Sequence, residues 1–189
     1  SDVASVKTRA RVDGDDYVIS GSKMWITNGT QADWICLLAN TSDGQPHRNK
    51  SLIVVPMKSK GVSVARKLKK LGLHASDTAQ IFFDEVRVPV RNRIGEEGRG
   101  FIYQMEQFQE ERLYAAAKAV SMLETAIDIT VEYTQGRKAF GKPLIDMQTI
   151  QHRIAAMHAE VEALRAITWS AAEIYIGGGA ITQKPPIAK

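Results

Sequence analysis

The sequence has a single cysteine, Cys36, among 189 residues. That excludes an internal disulfide and any zinc cluster built on cysteine. No run of about 18 apolar residues occurs, so no transmembrane helix is expected. The opening Ser1-Asp2-Val3 has neither an initiator methionine nor a basic-then-apolar signal pattern. The chain therefore reads as the interior of a longer protein, and with its lone thiol it suggests a reducing compartment. Of the four histidines (His47, His74, His152 and His158), the last two are six apart on a helical stretch. They lie on different faces and make a poor metal pair. Internal repeats and low-complexity tracts are absent as well. What remains is 44% hydrophobic and 24% charged, the composition of a globular chain.

The net charge of +4 is uneven: residues 1–100 carry +5 and residues 101–189 carry −1. A basic half fits an anionic ligand, although charge alone favours a solvated surface. Periodicity divides the chain in the same place. Thr8, Ala10 and Val12 alternate with Lys7, Arg9 and Arg11, the period of a half-buried strand. Asp13-Gly14 gives a hairpin signal. Further strand-like runs are Tyr17–Ile19, Met24–Thr27, Trp34–Ala39, Leu52–Val55, Val62–Ala65, Ile81–Phe83 and Val86–Val88. Six or more short strands separated by turn residues predict a small all-β sandwich or barrel-like domain. The polar stretch Thr41–Lys50 reads as an exposed loop.

After Gly98-Arg99-Gly100, no proline or glycine occurs from Phe101 to Gln135. Phe101, Met105, Phe108, Ala115, Ala119, Met122, Ala126 and Ile129 fall at helical spacing, which predicts one helix roughly 50 Å long. Gly136 is a plausible stop, and Asp146 is a candidate N-cap for a second helix from about Met147 to Ile176. The expected fold is thus α+β: a β domain over residues 1–98, then an antiparallel helical hairpin within residues 99–189. Such a hairpin cannot bury both apolar faces, so further helices or subunits are required. The segment 95–100 reads as a hinge between the halves rather than a phosphate loop, because its acids argue against phosphate.

Three stretches could carry chemistry. Trp25-Ile26-Thr27 places an aromatic wall beside a hydroxyl donor, suited to a flat heteroaromatic ligand; composition alone favours a core tryptophan. Glu110-Glu111-Arg112 lies in an Ala-rich helix, where desolvation would raise a carboxylate toward general-base duty; the residues alone favour a solvated face. Arg66-Lys67-Leu68-Lys69-Lys70 is basic but has no interleaved aromatic platform, so nucleic-acid binding is not expected.

Taken together, the segments resemble the acyl-CoA dehydrogenase family. The resemblance rests on Ser1-Asp2-Val3, on Gly21-Ser22-Lys23-Met24-Trp25-Ile26-Thr27-Asn28-Gly29 and on Ala75-Ser76-Asp77-Thr78. It continues through Phe83-Asp84-Glu85-Val86-Arg87-Val88-Pro89, Glu111-Arg112 and Arg137-Lys138-Ala139-Phe140-Gly141-Lys142, followed by Gln148. It implies a fragment, the family's middle β domain plus the first helices of an incomplete four-helix bundle. It implies bound FAD, an acyl-CoA substrate oxidised to the 2,3-enoyl-CoA, an electron-transfer flavoprotein as acceptor and a homotetramer. It implies a mitochondrial matrix location in a eukaryote and a cytoplasmic one in a bacterium.

By the same resemblance, Trp25 packs on the flavin, Ile26 offers its backbone and Thr27 hydrogen-bonds near flavin N5. Ser1, Gln109 and Arg112 face the substrate. Arg137, Phe140 and Gln148 match residues that reach the FAD of a neighbouring subunit. The family places its base either late in the C-terminal bundle, beyond Lys189, or directly before an arginine on the first long bundle helix; Glu111-Arg112 matches the second, the placement of the long-chain and isovaleryl-type members, and Glu111 is the expected base. The alternatives are an acyl-CoA oxidase, which would hand its electrons to oxygen, and a non-catalytic homologue acting as an assembly module.

Overall fold

The computed structural model describes residues 2–179 and falls into two compact units, Ser1–Met105 and Glu106–Lys189. The first holds seven strands in one sheet: β1 (Arg9–Asp13), β2 (Asp16–Thr27), β3 (Trp34–Asn40), β4 (Lys50–Pro56), β5 (Val62–Lys67), β6 (Thr78–Pro89) and β7 (Arg93–Ile94). Their spatial order is β5-β6-β2-β1-β3-β4-β7. β1 and β3 run parallel and meet at Arg9 and Asn40, while the other pairings are antiparallel.

Alternation decides which face is inside. Ala10, Tyr17, Ile19, Leu37, Ala39, Ile53, Val55, Ile81, Phe83, Val86 and Val88 form one buried cluster drawn from five strands. In a flat sheet β2 and β7 would stand about 19 Å apart, four strand spacings. Instead Arg93 Nη1 on β7 donates to the Tyr17 hydroxyl on β2 at 3.3 Å, and Val90 N donates to Asp15 O at 2.9 Å. The sheet therefore curls around its core, and the crossing from β6 to β7 brings its β7 end back to β2.

Two lysines belong to this interior. Lys50 is 1% exposed, and its ammonium donates to Pro46 O at 2.7 Å and Asn49 Oδ1 at 2.9 Å, which ties down the 41–49 loop. Lys23 reaches past the end of β1 and donates to Leu38 O at 2.7 Å. Burial, reinforced by the nearby Lys50 charge, pulls the Lys23 amine from 10.5 down to about 8.

The glycines expected to form a hinge do something different. A Cβ on Gly98 would lie 2.6 Å from Arg48 O, and one on Gly100 would lie 2.8 Å from the backbone of Ser51. Gly98 N also donates to Ser51 Oγ at 3.0 Å. These glycines permit close docking onto β4, so the segment is anchored and the first residues of the long helix belong to the β unit.

That helix, α1 (Gly100–Gly136), spans 37 residues without a break, and α2 (Gln148–Ile176) spans 29. Between them, β8 (Lys138–Ala139) and β9 (Lys142–Pro143) make a small hairpin. Asp146 does not cap α2. Residues Leu144–Asp146 close into a 3-10 turn, which leaves Met147 at the cap position with no side-chain cap hydrogen bond. The helical unit is held by Val120, Ile127, Ile154 and Val161, with Val131, Ile145, Ile150 and Leu164 beside them. Arg165 pairs with Glu124 across the two helices. Tyr114, Met122, Ile129, Tyr133, Trp169 and Ile176 remain exposed. No helix among the described residues is long and apolar enough to cross a membrane.

Two measurements test this packing. Gly100→Ala forces a methyl against the Ser51 backbone and should cost about 1–3 kcal/mol in chemical denaturation. The second concerns pH. Between about 8 and 10.5 the folded chain has released the Lys23 proton that the unfolded chain still binds, so stability rises with pH across that window. Lys23→Met should flatten that rise in denaturant melts taken from pH 8 to 10.5.

Candidate functional site

Beyond Ser20, β2 loses its β1 neighbour; the β1 pairing runs only from Asp16 to Ser20. The rest of β2 pairs with β6 alone, and the register slips between Lys23 and Ile26. Trp25 sits in that slip with φ 63°, a left-handed conformation that a bulky side chain rarely takes. Bulges of this kind re-aim side chains next to functional sites. Here the slip turns the indole outward at 67% exposure, with Met24 also exposed, while Ile26 packs against the sheet core. Thr27 is exposed, and its hydroxyl has no partner among the described residues. The structure thus presents an aromatic face and a free hydroxyl on one edge, and the tryptophan is not part of the core.

The turn that follows is tightly held. Asn28 also has positive φ, 61°, and its N donates to Asp77 O at 3.2 Å. Asp77 Oδ2 accepts from Thr30 N and Thr30 Oγ1, both at 2.7 Å, and Asp77 Oδ1 accepts from Gln31 Nε2 at 2.9 Å. The Thr30 donors hold the Asp77 carboxyl below the usual aspartate range, aided by Gln31 and the Lys67 charge and opposed by desolvation.

In the helical unit, Gln109, Glu111 and Arg112 share one stretch of α1. Gln109 is half-buried; Glu111 and Arg112 are exposed. The Arg112 guanidinium lies 5.8 Å from the Phe108 ring centroid, a cation–π contact one turn back along the helix. The two neighbouring glutamates differ. The Tyr175 hydroxyl on α2 donates to Glu110 Oε1, and that bond is the main reason the Tyr175 proton is held more tightly than usual. Glu111 makes no hydrogen bond or ion pair among the described residues. In this chain Glu111 stands on an exposed face of α1.

The third group lies at the far end of α1. Phe140 and Gly141 are the two loop residues of the β8–β9 hairpin, with φ 52° and 81°. Positive φ at both central positions is the type I′ geometry that hairpin twist requires. Phe140 takes it without the freedom of glycine and is 95% exposed. Arg137 and Gln148, on either side of the hairpin, are exposed too. Glu111 lies on α1 and Arg137 directly follows its last residue, 26 residues on and about 39 Å away at the α-helical rise. They cannot address the same reacting atom. Ser1 lies outside the described residues.

Asp77 and Tyr175 escaped the sequence reading of the site. The signal for the first was the Ala75-Ser76-Asp77-Thr78 stretch, which carries the family resemblance without a role for the carboxylate. Tyr175 is 65 residues from Glu110 and left no local signal. A different hollow of about 500 Å³, lined by Lys67, Leu68, Lys69, Lys70, His74 and Ser76, contains most of the basic run. No group of three or more potential metal ligands occurs among the described residues.

Comparison with known proteins places these residues in a family. A model described as "Acyl-CoA dehydrogenase, middle domain" matches residues 1–86, and one described as "Acyl-CoA dehydrogenase, C-terminal domain" matches residues 98–189. The short-chain specific acyl-CoA dehydrogenase of Mus musculus is 35% identical over all of this chain and 46% of its own length. The long-chain specific enzyme of Sus scrofa is 40% identical over 93% of this chain and 41% of its own. The crystal structure of acyl-CoA dehydrogenase from Geobacillus kaustophilus superposes with a TM-score of 0.96 at 41% identity, covering all of this chain and 50% of that one. The chain spans about half the length of the relatives it matches.

Since the Phe140 ring is almost wholly exposed, Phe140→Ala should leave the chain's own stability within about 0.5 kcal/mol of wild type in denaturant melts. A larger loss would show that the ring is buried in solution.

Proposed function

The chain belongs to the acyl-CoA dehydrogenase family, and we propose that the whole protein dehydrogenates an acyl-CoA thioester to the 2,3-enoyl-CoA with FAD. The local geometry fits a flavin. Trp25 offers an exposed indole fixed by a left-handed backbone, and Thr27 offers an unpartnered hydroxyl two residues on. When bound, flavin supplies a two-electron acceptor for the hydride leaving the β-carbon. With flavin bound, Trp25 would form an apolar wall for the ring system, Ile26 would contribute its backbone and Thr27 would supply a hydrogen-bond donor.

Glu111 takes the α-proton. The observation that carries this assignment is the Tyr175–Glu110 hydrogen bond, which occupies one of two adjacent carboxylates and leaves the other free. A base must be able to reach its proton without first giving up a partner. Arg112 and Gln109 flank it as substrate contacts. Substrate and the rest of the complete protein exclude water around Glu111, keeping the carboxylate basic. Hydrogen bonds to the thioester carbonyl stabilise the enolate-like charge that develops.

Arg137, Phe140 and Gln148 serve a second location. Their distance from Glu111 along α1 fits contact with the cofactor of a neighbouring subunit, where a guanidinium suits a diphosphate. The exposed apolar residues of α1 and α2 fit burial in a homotetramer. Electrons then leave to an electron-transfer flavoprotein.

The test uses the complete protein under anaerobic conditions. Glu111→Gln should retain flavin and its absorbance yet lose bleaching by acyl-CoA by at least about a thousandfold in rate, at the upper range for removal of a positioned base. Glu110→Gln should bleach within about tenfold of wild type. Normal bleaching in Glu111→Gln would assign the base elsewhere.

A further inference from the structure

The outer end of β2 is a weakly supported place for a site that must be exact. From Gly21 onward the strand is laddered to β6 alone; on its other side the Thr8 hydroxyl donates to Ser22 O at 3.0 Å. Past the register slip, just two ladder pairs remain, Ile26 with Ala79 and Thr27 with Thr78. The turn beyond them contains Asn28 in the left-handed region, which by itself favours other conformations. One residue closes this gap. Asp77, 4% exposed, uses its backbone carbonyl on Asn28 and both carboxylate oxygens on Thr30 and Gln31. Gln31 Nε2 is also 3.1 Å from Asn28 Oδ1, so the same amide spans turn and carboxylate. Asp77 immediately precedes Thr78, the ladder partner of Thr27. The clamp residue and the β6 member of the last ladder pair are therefore consecutive in the chain, Asp77 standing just before the strand begins.

We propose that Asp77 is the positioning residue of the cofactor edge: by locking residues 28–31 it fixes how Trp25 and Thr27 are presented. The proposal rests on the flavin-binding role given to that edge above. Asp77 touches neither side chain and acts through the turn. The bonds are charge-assisted, to an ionised acceptor with little access to water, so their removal is felt along the turn. As the carboxyl sits below its usual range, the clamp holds above the ordinary aspartate pKa and is released only as pH falls through the lowered value.

The complete protein is needed, in apo and flavin-loaded forms. In the apo form, Asp77→Ala should speed amide hydrogen exchange at Asn28 and Thr30 by about tenfold or more. Global melting should move far less than this local exchange. In the loaded form, the variant should bind FAD about tenfold more weakly and shift the flavin absorbance. Asp77→Asn, which keeps one acceptor, should fall between Ala and wild type in both readouts. Should Asp77→Ala fail to fold, Thr30→Val removes one donor at an exposed position and should move both readouts in the same direction by less. Faster exchange with unchanged FAD affinity and spectrum would overturn the proposal, as would unchanged exchange. A wild-type protein that takes up no FAD would instead sink the functional reading, and the positioning role with it.

Discussion

Everything in the β unit follows from where β2 loses a neighbour. Through Ser20 the strand is flanked by β1 and β6, and its inward residues Tyr17 and Ile19 are wholly buried. Beyond that point only the β6 ladder remains, and the other edge has the Thr8 hydroxyl on Ser22 O in place of a strand. A strand paired on both sides is fixed by its ladders; one paired on a single side can accept a bulge at modest cost. The same twelve residues thus supply core at one end and an exposed aromatic at the other. The curl of the sheet makes this possible, since bringing β7 back to Tyr17 seals the interior without drawing on the outer end of β2.

The helical unit obeys a different rule. Its two helices meet along one apolar stripe of four buried residues, and a hollow of about 270 Å³ lies beside Leu123, Ile127 and Val161. One stripe satisfies one neighbour. Side chains such as Met122, Ile129 and Trp169 point away from it and stay uncovered, more apolar surface than a helical hairpin can hide. Polar contacts then join the two helices at two levels, with Arg165 on Glu124 and Tyr175 on Glu110.

Much of this was legible in the residues. Alternation gave the strands, and the uninterrupted stretch after Gly100 gave a helix whose observed bounds, Gly100–Gly136, lie within a residue of the expectation. These signals are local and periodic. The failures were of another kind. Asp146 has the chemistry of a cap, but the 3-10 turn before Met147 moved the helix start by one residue. The glycines at 98 and 100 look flexible in sequence, and only the nearness of Arg48 and Ser51 shows that they are there for close contact. Trp25 looked like a core residue because composition cannot register a bulge. Asp77 and Tyr175 act on partners 46–49 and 65 residues away, respectively, a separation that no window of sequence can see.

The unbroken length of α1 has a consequence for how this gene can change. Each residue inserted between Glu111 and Arg137 would rotate everything downstream by about 100° and advance it about 1.5 Å. A single-codon insertion or deletion there would turn the hairpin bearing Phe140 away from its present bearing relative to Glu111. Three or four codons together would nearly restore the facing while displacing the hairpin by about one helical pitch. The number of codons between these two residues is thus fixed by geometry, apart from what the side chains along it do.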